Sequence, residues 1–314
     1  MNKRNCHITF IFIVITIVIT YNYSYANDTL NPCYDLQEEY IYKFSIDLFE
    51  EGEYYRAITE AKRYISYFPQ GKNVEDMYKL IGDSYLMSNE WSDAINAYDE
   101  FIGSFPNSPF INQIIFYKAI CLVKKNDYKE AKRLFKQIVD SHSPLKKNES
   151  ILWKISLLIQ ESNFEEIEKL LNDESIRQEI GQKIDIIKQT LSLKKKANYK
   201  SPVLAGIMSS ILPGSGQFYN ERYKDGIYSF ILNALFILGA VKAYTDENYA
   251  VGGILTIFEA GWYTGNIYSA LNGAQKFNRK INEDIFKISI GNFGLLENEV
   301  RRTPKISVIF RFPF

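Results

Sequence analysis

Hydrophobic residues follow three patterns along this chain. Near the start they form one short run, Ile8 to Ile19, behind Lys3 and Arg4. Across residues 37–196 they recur at helical spacing among charged residues, and from Ser201 they crowd into stretches broken by Gly and Pro. The middle pattern repeats itself. Aligning GEYYRAITEAKRYISYFPQ (52–70), NEWSDAINAYDEFIGSFPN (89–107) and NDYKEAKRLFKQIVDSHSP (126–144) puts Ala57, Ala94 and Ala131 in register at a spacing of 37. Tyr54, Trp91 and Tyr128 precede each Ala by three residues. Phe68-Pro69 and Phe105-Pro106 close the first two units, and Ser143-Pro144 closes the third one residue late. Each unit reads as a helix pair: the small Ala is needed where the two helices cross, and Pro ends the second helix because it has no amide hydrogen to donate. The units lie near 38–71, 75–108 and 112–145. A degenerate fourth, near 148–172, carries Phe164 and Ile167 at the aromatic and Ala positions. The helical pattern from Glu174 to Lys196 packs beside it.

The late pattern predicts a membrane domain over 203–275, entered through a basic linker at 194–202. GIYSFILNALFILGAVKAY (226–244) and AVGGILTIFEAGWYTGNIYSALNGA (250–274) are each long enough to cross the hydrocarbon at about 1.5 Å per residue. The polar TDEN between them makes the pair a hairpin. Ahead of them LPGSGQFYNERYKDG (212–226) reads as a turn at the membrane surface. Pro213 and Gly214 end a half-length or surface helix over 203–219, Gly216 lets the backbone turn tightly, Gln217 follows it, and Phe218 and Tyr219 anchor at the interface. PGSGQ lacks the Lys-Ser/Thr ending of a phosphate loop. Positive charges at Lys200, Arg222, Lys224, Lys276, Arg279 and Lys280 leave two spans against three unsettled, with two preferred because Pro213 shortens the first helix.

Two features inside the spans exceed mere apolarity. Gly261, Gly265, Ser269 and Gly273 recur every fourth residue, a ladder that admits another helix, from this chain or a second copy. Glu259 is costly in a bilayer unless paired, and a hairpin turning near Glu247 brings it within about a turn of Asn233. It is expected as a neutral acid bonded to Asn233, with a proton or ligand site as the alternative.

Composition excludes more than it selects. Lys plus Arg and Asp plus Glu are both 37, so no basic field invites nucleic acid. The basic start, short apolar run and Ser24-Tyr25-Ala26 read as a signal peptide over 1–26, so the rest is exported. Cys6 leaves with it, Cys33 has no Leu-x-x pattern before it and is not expected to carry lipid, and Cys33–Cys121 is the one disulfide open to the mature chain. His142 is the only histidine after the signal, and no catalytic triad or metal-ligand cluster accompanies it, so no enzyme, cofactor or metal is expected. The tail, 276–314, alternates in FKISIGNFG and KISVIFRFPF and reads as a short β-hairpin.

The repeat units resemble the tetratricopeptide repeat: Gly82 and Tyr85 stand on its helix A, Ala94 and Phe101 on helix B, and Pro106 ends it. The residues around FPQGKNVED and FPNSPFINQ are similar to repeats of BamD-like outer-membrane assembly lipoproteins and of the periplasmic Tol-Pal coordinator, over roughly 37–145. The resemblance implies an envelope scaffold for partner proteins, with a groove lined by helix A: Tyr42, Ile46 and Phe49, then Lys79, Asp83 and Leu86, then Phe116, Ile120 and Val123. The alternative is that these side chains pack between helices. SPVLAGIMSSILPGSGQFYNERYKDG resembles small bacterial membrane domains with a Pro-Gly-x-Gly-Gln-x-Tyr-Asn turn, over about 201–240. Together these predict an all-α tetratricopeptide solenoid followed by a transmembrane helical hairpin. The expected function is a membrane-attached adaptor of the bacterial cell envelope with periplasmic repeats, in the inner membrane by preference and the outer as the alternative. The second reading is a small transport or insertion component whose helices oligomerise around Glu259.

Overall fold

The computed structural model describes residues 35–141 and 143–295, and among them the only regular structure is helical. The segment read as a signal peptide, Cys33, His142 and the KISVIFRFPF stretch lie outside the described residues. Two compact units divide within one helix, one running to Ile151 and the other from Leu152 to Asn298.

The first unit contains helix pairs at the repeat spacing: α1 (35–50) with α2 (Tyr54–Tyr67), α3 (Val74–Met87) with α4 (Trp91–Ser104), and α5 (Ile111–Lys124) with α6 (Tyr128–Asp140). The next pair is α7 (Lys147–Glu161), in which the units divide, with α8 (Phe164–Asn172). One turn geometry recurs in all four. Gly52, Asn89, Asn126 and Ser162 have φ of 82°, 62°, 63° and 60°. The next amide in each case, from Glu53, Glu90, Asp127 or Asn163, donates to the carbonyl five residues back, on Leu48, Tyr85, Leu122 or Leu158, at 2.8–3.0 Å. This is the left-handed helix cap that Gly and Asn adopt most readily, and it reverses the chain in two residues. Ala57, Ala94, Ala131 and Ile167 sit fully covered where the second helices cross their partners. In the second pair the approach is closest at Gly82, where a Cβ would stand 2.4 Å from the Tyr98 ring.

The second unit continues through α9 (Glu174–Ile180), a 3-10 turn (Gly181–Lys183), α10 (Ile184–Lys196), α11 (Pro202–Ile211), α12 (Ser215–Tyr219), α13 (Tyr223–Thr245) and α14 (Tyr249–Asn292). Ser201 caps α11 by accepting the Leu204 amide at 3.2 Å, with Pro202 in the first turn where its missing amide costs nothing. The helix is too short to cross a bilayer alone. Among the described residues α13 is the one helix both long and apolar enough to do so by length and composition. α14 is long enough at 44 residues. Its span over 250–274 falls short in hydropathy because Glu259, Thr256, Thr264 and Asn266 dilute it.

Three expectations change. FKISIGN is not a strand but the end of α14: Ile285, Ser289 and Ile290 share the covered face at helical spacing, and Phe286 meets Trp153 with ring centroids 6.4 Å apart. A short alternating run fits either period, and packing decides. The basic linker is not all solvent-facing, since Lys194 lies in the last turn of α10 with 2% exposure. The helix read from Glu174 to Lys196 breaks at Gly181, and α8 belongs with the second unit.

Candidate functional site

The PGSGQFYN turn builds a buried polar node. Gly214, with φ of 91°, reverses the chain between α11 and α12, as the position of Pro213-Gly214 requires. Gly216 has a different task from the tight turn expected of it. It lies inside α12, and a Cβ there would come 2.0 Å from the Ala205 carbonyl oxygen and 2.8 Å from Ala270 Cβ, so its absence lets α12 press between α11 and α14. Gln217, 1% exposed, then binds both neighbours: its Oε1 accepts from Ser209 Oγ at 2.9 Å and its Nε2 donates to the Asn266 carbonyl at 3.0 Å. Ser209 Oγ also accepts the Gly216 amide at 3.1 Å. Asn220 Nδ2 donates to the Ala270 carbonyl at 2.7 Å, and Tyr219 OH accepts the Ser201 amide at 3.0 Å. Lys200 lies over the Tyr219 ring at 5.2 Å and pairs with Glu221 at 3.2 Å. Tyr219 therefore anchors the chain to itself, through its hydroxyl and its ring.

Higher in the hairpin the polar groups continue. Ser229 Oγ on α13 donates to Asn266 Oδ1 on α14 at 2.9 Å, and Asn233 Nδ2 donates to the Ser229 carbonyl. Glu259 and Asn233 are both covered, yet no hydrogen bond joins them: both carboxyl oxygens of Glu259 and Oδ1 of Asn233 are without partners. The bonded pair expected from the sequence is replaced by Asn233 bonding its own helix. The small-residue ladder divides in two. Gly273 lies where a Cβ would meet Asn220 Nδ2 at 2.8 Å and Arg222 Nη1 at 2.9 Å, and the Ser269 carbonyl accepts from Arg222 at 3.1 Å. Gly261 and Gly265 face open space, where they line a shallow hollow of about 480 Å³ with Ile257, Phe258, Trp262 and Asn266.

The groove residues read from helix A are largely covered. Tyr42, Phe49, Lys79, Asp83, Phe116, Ile120 and Val123 are buried, and only Ile46 and Leu86 are half-exposed. Their partners give the reason. Lys79 Nζ pairs with Asp83 Oδ2 at 2.6 Å, and Asp83 Oδ1 accepts from Tyr98 OH at 2.8 Å across to α4. Tyr42 OH donates to Asp76 at 3.4 Å, and Phe116 packs on Phe135 of α6 at 5.8 Å. In stacked helix pairs the apolar face of helix A meets its neighbours before it meets a ligand. Burial pushes the thiol of Cys121, beside this network, up to about 12, and the charge of Asp83 adds to the effect.

Sequence reasoning did not foresee the seam on α14. Lys194 Nζ donates to Asn282 Oδ1 and to the Gln160 carbonyl at 3.3 Å, and burial lowers its pKa. Asn278 exchanges two bonds of 2.8 Å with the backbone of Lys200, as a strand neighbour would. The signal available was Asn278 and Asn282 on one face of a helix, four residues apart.

With this geometry in hand, comparison with known proteins places the first unit. Residues 34–148 match the YfiO family, described as outer membrane lipoprotein. Over those residues, less than half of the chain, its helical repeats are similar to those of BamD-like envelope lipoproteins. The match ends at the start of α7, well before α13 and α14. A crystal structure of a tetratricopeptide repeat protein from Parabacteroides merdae is similar at 13% identity, over 81% of this chain and 98% of that one, with a TM-score of 0.40. No curated protein matches.

Proposed function

We propose that this chain is a membrane-attached adaptor of the bacterial cell envelope, whose exported repeats dock a protein partner while the hairpin of α13 and α14 holds it to the bilayer. The observation that carries the reading is the joining, in one chain, of repeats matched to an outer membrane lipoprotein family with a helix of bilayer-crossing length and apolarity. A helical span favours the inner membrane, since outer-membrane spans are closed barrels. The adaptor has no reaction of its own. Ile46 and Leu86 are the groove positions still open to a partner, and both are apolar, which suits a helical or extended peptide.

The test has two arms on the full-length chain. Alkaline carbonate should leave it in the membrane pellet, and density fractionation should place that pellet with the inner membrane. A photo-crosslinking residue in place of Leu86 should join a protein partner, whereas the same residue in place of covered Tyr98 should not. Extraction by carbonate refutes the anchor. Equal crosslinking from both positions, or none from Leu86, refutes the docking face.

A further inference from the structure

The buried polar groups of the second unit form a track rather than a scatter. Arg222 reaches the Ser269 carbonyl, Asn220 the Ala270 carbonyl and Gln217 the Asn266 carbonyl, while Ser229 bonds the Asn266 side chain and Asn233 bonds Ser229. The bonded track runs along the inner face of α14 and stops at Asn233, short of Glu259. Its register follows from the Ser229–Asn266 bond. Asn233 is one turn, about 6 Å, beyond Ser229 on α13, and Glu259 is two turns, about 10 Å, beyond Asn266 on antiparallel α14. That register leaves Glu259 and Asn233 within about one turn of each other along the hairpin.

Four atoms here have no hydrogen-bond partner: Asn233 Oδ1, Glu259 Oε1, Glu259 Oε2 and Asn266 Nδ2. Their residues are 1%, 9% and 8% exposed. Three of the four are hard oxygen acceptors carried on two neighbouring helices, a donor set suited to a proton or an alkali cation. Among the described residues no cation pairs with them. On α13, Lys242 pairs with Asp246 at 2.8 Å, and Lys224 and Asp225 lie at the far end, where Asp225 pairs with Arg222 at 2.7 Å. α11 has no ionisable side chain, and α12 has only Tyr219, engaged with Ser201 and Lys200. On α14 itself the tyrosine following the ladder's first glycine, Tyr263, donates to the Ser210 carbonyl at 3.1 Å. A carboxylate inside a bilayer with no partner charge is expensive, and such groups mark cation pathways.

We propose that Glu259 and Asn233 form an exchangeable monovalent-cation site inside the hairpin, with the amide track from Arg222 to Asn266 as its polar approach. The site rests on the membrane seat of α13 and α14, which carbonate extraction reports independently. The probe is dicyclohexylcarbodiimide, an apolar reagent that couples to a carboxyl only in its protonated form, applied to the full chain in lipid nanodiscs. Peptide mass spectrometry reads the product, and Glu259→Gln fixes its assignment.

Glu259 is expected to label, with labelling falling at least tenfold from pH 5 to pH 9. Asn233→Leu should move the half-labelling pH by about one unit, because it removes the second oxygen donor. Protection by sodium against equal choline identifies an alkali cation, and indifference to sodium identifies the proton. A chain retained by carbonate whose Glu259 never labels, or labels equally at every pH with and without Asn233, overturns the site while leaving the anchor standing. A chain released by carbonate overturns both.

Discussion

Gly216→Ala adds one methyl group and should destabilise the second unit. The added Cβ would lie 2.0 Å from the Ala205 carbonyl oxygen and 2.5 Å from Ser209 Oγ. Real contacts of this kind stay beyond 3.0 Å, so α12 must retreat from α11 by at least 3.0 − 2.0 = 1.0 Å. That displacement stretches the Ser209–Gln217 bond of 2.9 Å and the Gly216–Ser209 bond of 3.1 Å past useful length. Overpacking of this kind costs about 1–3 kcal/mol, and each lost bond adds about 1 kcal/mol. Opposing them is the helix preference of Ala over Gly, about 1 kcal/mol. The net is a loss of about 2–4 kcal/mol. Gly265→Ala supplies the control, because it makes the same chemical change in a helix with nothing within 4 Å, so only the propensity gain remains. Scanning fluorimetry of the detergent-solubilised chain should show Gly216→Ala melting lower and Gly265→Ala unchanged or slightly higher. A Gly216→Ala protein that melts with or above the parent would refute the close-packing argument.

Two perturbations of the repeats follow from the buried network. Lys79→Met removes the partner of Asp83 at a site only a few per cent exposed, leaving a carboxylate held by Tyr98 alone. A loss of about 3–5 kcal/mol is expected, restored in part by adding Asp83→Asn, and chemical denaturation of the single and double variants measures both. Cys121 has its pKa raised in the fold by burial, so the folded chain keeps the thiol protonated where the unfolded chain begins to ionise. Its contribution is therefore full below about pH 9, the ordinary value, and is lost as pH rises toward about 12. Iodoacetamide at pH 8 should modify Cys121 only in denaturant, as peptide mass spectrometry reads it apart from Cys33, and Cys121→Ala should flatten the alkaline fall in stability; rapid alkylation of Cys121 in the native chain would contradict both.

How far each part was legible depended on where its deciding neighbour lay. The repeats announced themselves because Ala94 and the aromatic of Trp91 are local signals, repeated at fixed spacing and needed by the helix crossing itself. The groove did not, since apolar residues on helix A look alike whether they line a cleft or, as Phe116 does against Phe135, fill an interhelical seam. FKISIGN satisfied two periods at once, and Trp153, far away in sequence, favoured the helical one by packing on Phe286. Lys194 read as linker charge because its partner Asn282 is 88 residues distant. Glu259 was found by its cost in a bilayer, but its bonding was not foreseen, because Asn233 had a nearer acceptor in the Ser229 carbonyl.

The hydropathy of α14 and its place in the fold pull in opposite directions, and the asparagines reconcile them. Asn266 takes Ser229 on its side chain and Gln217 on its backbone, Asn278 takes the backbone of Lys200, and Asn282 takes Lys194 and Tyr199. A primary amide donates and accepts at once without carrying charge, so it can be covered at far lower cost than a carboxylate or ammonium group. The same amides lower the average hydropathy of the helix, although they face inward. Outward, the helix shows Ile257, Phe258 and Trp262, all exposed and all suited to lipid. An average taken around the helix therefore understates how apolar its outer face is. In the proposed membrane seat lipid would meet only that face, while the inner one is matched to α12 and α13 by amide bonds and to α11 by the Tyr263 hydroxyl. For this reason the proposed seat of α14 beside α13 is compatible with a composition that, taken residue by residue, falls short of a span.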